Sequence, residues 1–90
     1  MRLPRFGVVG AGALGYHHVR ILRDLEGIDF VGFYDSDFER SAHVTKELGV
    51  PAMSSVTGLI DACDALTIVV PTSAHFEVAR AALARGRHLL

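Results

Sequence analysis

The chain has 90 residues, 9 Lys plus Arg against 10 Asp plus Glu, one cysteine, and half of its residues apolar. These totals suit one small globular domain and exclude a disordered or collagen-like polymer and a complete two-domain enzyme. A formal net charge of −1, with scattered arginines and Lys46 as the only lysine, supplies no basic face for nucleic acid or an anionic membrane.

Met1-Arg2-Leu3-Pro4-Arg5 runs straight into a short apolar segment followed by glycines, which is not the pattern of a signal peptide. No stretch approaches the roughly 20 apolar residues that span a bilayer. Cys63 has no partner for a disulfide and no Cys/His spacing suggests zinc, so a cytoplasmic protein without a metal site is expected.

Phe6-Gly7-Val8-Val9 reads as a strand buried on both faces, from about Arg5 to Val9. Leu14, His18, Ile21, Leu22 and Leu25 then recur at helical spacing and predict an amphipathic helix from about Ala13 to Glu26. Asp29 to Asp35 supplies aromatic and β-branched residues for a second strand. Asp37 is a candidate N-cap for a second helix ending near Leu48, with Gly49 as its stop. A brief third strand is expected around Val50 to Met53, and a short helix capped by Ser54 or Ser55 runs to about Ala62. Ala65 to Val70 is the strongest strand signal and stops at Pro71. A helix from Ser73 or Ala74 ends at Gly86, and His88-Leu89-Leu90 begins a further strand. Strict alternation of this kind requires crossovers, hence a parallel sheet. The expected fold class is α/β, a Rossmann-type doubly wound sheet of order 3-2-1-4-5, left incomplete at Leu90.

Gly10-Ala11-Gly12-Ala13-Leu14-Gly15 has the form G-x-G-x-x-G between a strand and a helix. The first glycine allows the tight turn, the second lets the backbone approach a pyrophosphate, and the third allows helix and strand to pack closely. Backbone N–H groups around Ala13 and Leu14 face the phosphates at the positive end of the helix. Asp35 lies about 20 residues beyond Gly15, where a carboxylate accepts both hydroxyls of an adenosine ribose and disfavours a 2′-phosphate. The expected cofactor is therefore NAD in preference to NADP. A helix-capping or turn aspartate is the plainer reading of Asp35. Arg40 can stack on the adenine, neutralise a 2′-phosphate, or simply be solvated.

Pro71-Thr72-Ser73-Ala74-His75 follows the fourth strand at the switch point of such a sheet. Pro71 stiffens the loop, Thr72 offers a hydroxyl to the nicotinamide half, and His75 donates to the cofactor or caps the helix. Capping alone also accounts for Thr72 and Ser73. Adjacent His17 and His18 cannot both face one ion from a helix, so His18 is read as a packed core residue and His17 as solvent-facing. Cys63 reads as a buried structural thiol.

These segments together resemble the N-terminal domain of the Gfo/Idh/MocA family. The resemblance rests on Phe6 to Gly15, His18, Val31-Gly32-Phe33-Tyr34-Asp35, Glu39-Arg40, Leu48-Gly49-Val50-Pro51, Val69 to His75, and Ala81 to Leu90, and covers essentially the whole chain. It implies an NAD- or NADP-binding domain of a dehydrogenase acting on a sugar, cyclitol or related alcohol. Gly10, Gly12, Ala13, Leu14 and Gly15 would hold the pyrophosphate, Asp35 the ribose and Arg40 the adenine, with Pro71, Thr72 and His75 on the nicotinamide side. The family's second domain, which carries much of the substrate site and a homo-oligomer interface, is absent from the 90 residues. The family's Glu-Lys-Pro motif, whose lysine helps position substrate and cofactor, is absent too. No catalytic residue is assigned, and the expectation is nucleotide binding without turnover. The alternatives are a non-catalytic dinucleotide-sensing or scaffold module and, less in keeping with the glycine spacing, a methyltransferase-like nucleoside site.

Overall fold

The computed structural model describes residues 2–70 and 72–90, with backbone alone at 72 and 73. Four strands form, β1 (Arg5–Val9), β2 (Asp29–Tyr34), β3 (Ala65–Ile68) and β4 (His88–Leu89). The helices between them are α1 (Ala13–Asp24), α2 (Phe38–Leu48), α3 (Val56–Ala62) and α4 (Thr72–Ala84). The strand order is β2-β1-β3-β4 and every pairing is parallel, as helical crossovers demand.

The expected third strand shrinks to one parallel bridge between Ala52 and Phe33, in its anticipated place outside β2. Phe33 N–H donates to Pro51 O (3.1 Å) and Met53 N–H to Phe33 O (2.8 Å). Pro51 has no N–H with which to carry the ladder further back. The strong run Ala65 to Val70 leaves the sheet at Ile68, although Val69 N–H still donates to Val9 O (2.7 Å). α1 ends at Asp24 because Leu25 adopts extended backbone (φ −77°, ψ 128°). Within β2 the register shifts: Phe6 pairs with Phe30 but Gly7 pairs with Gly32, so Val31 is an extra, bulged residue.

Each face of the sheet carries its own core layer. Val8 and Phe33 pack with Val19, Val44, Leu48 and Val50 on one side. Val9, Leu66 and Ile68 pack with Leu59, Ile60, Cys63 and Ala82 on the other. Full burial of a side chain such as Phe33 or Leu66 is worth about 1.5–3 kcal/mol each.

The apolar stripe that predicts α1 is only partly the face it buries: Leu22 and His18 turn inward, but three of its leucine and isoleucine positions do not. Leu14 is 61% exposed, Ile21 54% and Leu25 49%, whereas Gly15 and Val19 are buried and Leu22 packs partly against the same layer. The glycine turn decides this. Gly15 lies against the carbonyl of Gly10, which fixes the rotation of the helix and brings Val19 and Leu22 onto the sheet at successive turns. Tyr16 and Arg23 then meet α2, where Tyr16 OH donates to Glu47 Oε1 (2.6 Å) and Arg23 Nη1 to Leu48 O (3.1 Å). His18 is half-buried and His17 exposed.

Two arginine-rich ties hold the amino-terminal end of the sheet, opposite the glycine turn. Asp64 accepts from Arg5 N–H (2.8 Å) and Arg2 Nη2 (3.0 Å). Arg87 donates from Nε to Ile60 O (2.9 Å) and from Nη2 to Asp61 O (3.3 Å), satisfying carbonyls at the end of α3.

Candidate functional site

At the carboxyl end of β1 the chain reverses through Gly10, whose φ of +97° suits glycine alone. A Cβ on Gly10 would also collide with the carbonyl oxygen of Val69, and one on Gly15 with that of Gly10. Both positions therefore bring backbone against backbone. Gly12 differs: it has φ −65°, and a Cβ there would meet nothing within 4 Å. Its missing side chain serves no internal contact and leaves the space above the helix start open.

The helix starts differ in the same telling way. Asp37 caps α2 by accepting from Arg40 N–H (3.1 Å), and Ser55 caps α3 by accepting from Gly58 N–H (3.0 Å). α1 has neither a side-chain cap nor an acidic residue in its first turn. The donors of that turn, which no helix can satisfy internally, face outward at the positive end of the dipole.

Asp35 sits at the end of β2 with its side chain 5% exposed. Its Oδ2 accepts from Ala11 N–H (2.7 Å) and its Oδ1 from Asp37 N–H (2.8 Å). One carboxylate thus joins the glycine turn to the start of α2. Arg40 Nη1 stands 3.4 Å from both oxygens, and Ser41 Oγ donates to Asp35 O (3.2 Å). Gly10 N–H completes the link by donating to Tyr34 O (2.7 Å).

Between these groups lies a cavity of about 530 Å³, within the range of small-ligand sites. Gly10, Gly12, Ala13, Leu14 and Gly15 form one wall, with Asp35, Ser36 and Arg40 at one end. Val56, Val69, Val70 and Val78 supply apolar surface that linear spacing did not reveal. Val69 and Val70 carried a signal as the end of the strongest strand run, whereas Val56 reaches the cavity only through the packing of α3. The site lies at the carboxyl ends of the strands, where chain direction across the sheet reverses between β1 and β3.

The cavity therefore unites Gly10, Gly12, Ala13, Leu14, Gly15, Asp35 and Arg40 from the sequence reading. His75 is exposed and does not line it. Pro71 and the side chain of Thr72 lie outside the described residues. Lys46 belongs to a second cavity of about 670 Å³ beyond the Tyr34–Ser36 ridge, with Ser41, Thr45 and Ser54. Cys63 is fully buried, and burial pushes its thiol up to about 11, which leaves it inert as a nucleophile at neutral pH. Among the described residues no helix is long and apolar enough to cross a membrane.

Residues 4–90 match the Gfo/Idh/MocA family, described as an oxidoreductase family with an NAD-binding Rossmann fold. UDP-N-acetylglucosamine 3-dehydrogenase from Acidithiobacillus ferrooxidans is 41% identical over 86 residues, covering 96% of this chain and 27% of that protein. Its solved structure, GnnA, superposes with a TM-score of 0.89 at 40% identity, covering 100% of this chain and 29% of that one. Glucose-6-phosphate 3-dehydrogenase from Bacillus subtilis is 30% identical over 88 residues, 98% of this chain and 25% of that protein. The WlbA dehydrogenase from Bordetella pertussis, solved in complex with NADH and UDP-GlcNAcA, gives a TM-score of 0.81 at 26% identity, over 98% of this chain and 28% of that one. The chain spans between a quarter and three tenths of the length of these relatives.

Proposed function

Because the chain belongs to the Gfo/Idh/MocA family of oxidoreductases, we propose that it is the dinucleotide-binding part of an enzyme acting on a sugar, cyclitol or related alcohol. The single observation that carries this reading is the pairing of Gly12 with an uncapped helix start. A cradle with no internal use for its missing side chain faces the outward donors of α1. The backbone at Gly10, Gly12, Ala13, Leu14 and Gly15 holds the pyrophosphate there.

Asp35 accepts the hydroxyls of the adenosine ribose, and Arg40 covers the adenine side. Asp35 is nearly buried and pinned by two backbone N–H groups, so it cannot withdraw from a 2′-phosphate, and NAD is preferred over NADP. Pro71 and Thr72 take the nicotinamide side, and His75, outside the cavity lining, reaches the cofactor only from the rim of that loop. When bound, the cofactor supplies the hydride or accepts it. The 90 residues bind nucleotide without turnover, since oxidation or reduction of an alcohol also needs a positioned acid or base. The ionisable groups that line the described cavity are Tyr34, Asp35 and Arg40.

The purified protein titrated with NADH, following nicotinamide fluorescence, tests the reading. Saturable binding is expected, with weaker binding of NADPH and none of S-adenosylmethionine in parallel calorimetry. Failure to bind NADH at millimolar concentration overturns it.

A further inference from the structure

Arg40 is shared between two carboxylates. Its Nη1 lies 3.4 Å from both oxygens of Asp35, and its Nη2 lies 4.0 Å from Asp37 Oδ2. Asp35 is fixed by Ala11 N–H and Asp37 N–H, whereas Arg40 (47% exposed) lines the cavity and Asp37 (49% exposed) lies outside that lining, beside Arg40. The trio carries a net charge of −1. An unshared guanidinium at this place would offer a planar fork of donors, the geometry that binds a phosphate best.

We infer that Asp37 is a specificity-determining residue: by holding Arg40, it keeps the guanidinium from pairing with a ribose 2′-phosphate. The inference rests on the reading of the cavity as a nicotinamide dinucleotide site. Asp37 has a second role, since it caps α2 through the N–H of Arg40. That role requires only an acceptor oxygen, and asparagine caps helices about as well as aspartate. Charge and cap are therefore separable by Asp37→Asn.

The test titrates NADH and NADPH into wild-type protein, Asp37→Asn and the double variant Asp37→Asn/Arg40→Gln, with thermal melts to establish that each is folded. Releasing Arg40 from one of its two carboxylates is expected to tighten NADPH binding about 5- to 10-fold, with NADH binding held within about twofold. The gain shrinks in high salt, as the Debye length falls to about 3 Å at 1 M, and Arg40→Gln abolishes it. An unchanged NADPH-to-NADH ratio in folded Asp37→Asn overturns the inference while leaving the dinucleotide reading intact, as does a gain that survives Arg40→Gln. Wild-type protein that binds neither nucleotide overturns both.

Discussion

Gly12 and Gly15 lie three residues apart in one motif, yet the structure separates their roles. Gly12→Ala introduces a methyl group that touches nothing within 4 Å. Two local effects oppose each other there. Alanine is a poorer N-cap than glycine, at a cost on the order of 0.5–1 kcal/mol, and it lowers the entropy of the unfolded chain by about 0.4–1 kcal/mol. The melting temperature should stay within about 5 °C of wild type. Gly15→Ala drives a methyl group into the carbonyl of Gly10, where no side chain can rotate aside. Overpacking of that kind costs about 1–3 kcal/mol or more, which lowers the melting temperature by about 5–20 °C in a domain this small. Nucleotide binding should respond in the opposite order. In the proposed site the added methyl would occupy the pyrophosphate seat and separate phosphate oxygens from the donors of α1. Loss of one or two charge-assisted hydrogen bonds, each about 1.5–3 kcal/mol, weakens NADH at least 10-fold. Fluorescence titration and calorimetric melting of both variants measure the two effects. Gly12→Ala protein that binds NADH within twofold of wild type would refute the placement of the site, and a melting temperature as low as that of Gly15→Ala would refute the geometry.

Arg87→Ala should cost about 1–2 kcal/mol by removing its bonds to the carbonyls of Ile60 and Asp61, whereas Arg85→Ala, which removes an exposed pair with Asp61, should move the melting temperature by only about 2 °C. Chemical denaturation distinguishes them, and equal losses would show that α3 does not depend on Arg87. With its thiol pushed up to about 11, Cys63 is only about 0.1% thiolate at pH 8 and is also buried, so Ellman's reagent should label it only as fast as the protein opens. Rapid labelling of native protein would contradict this burial. The carboxyl of Asp64 is held below its usual range, first by the Arg5 N–H and then by the charges of Arg2, Arg5 and Arg87. Its folded value is lower than its unfolded one, so its contribution is complete above about pH 5 and lost as pH falls through the folded value. Asp64→Asn should flatten the acid side of the curve of melting temperature against pH, and a curve parallel to wild type would count against the tie.

Much of this architecture could be read from residue order. β1 matches the expected Arg5–Val9, and the caps of α2 and α3 stand at Asp37 and Ser55. The phase of α1 could not be read so directly. Leu14, Ile21 and Leu25 compete with Gly15 and Val19 for the face that Leu22 shares, and hydrophobic periodicity favours the first set because glycine counts as nothing in such a pattern. The contact between Gly15 and Gly10 decides for the second. The apolar floor under the glycine turn was equally hidden, because Val56 and Val78 come from helices whose meeting depends on the crossovers. The short bridge at Ala52 shows a third cause: the apolar run was visible, but one proline inside it limits the pairing.

The bulge at Val31 gives the second strand one point at which its length can change. Alternation assigns side chains to opposite faces, so a one-residue deletion in most strands turns over everything beyond it. Deleting Val31 instead leaves Phe30 opposite Phe6 and Gly32 opposite Gly7, with Phe33 and Asp35 on their present sides. Only the packing of Val31 against its own layer is lost. Deleting Tyr34 has no such relief and swings the carboxylate away from the N–H of Ala11. Among proteins with this fold, single-residue gaps in the strand should therefore gather at Val31 and stop short of Asp35, so that an alignment gap there carries structural information.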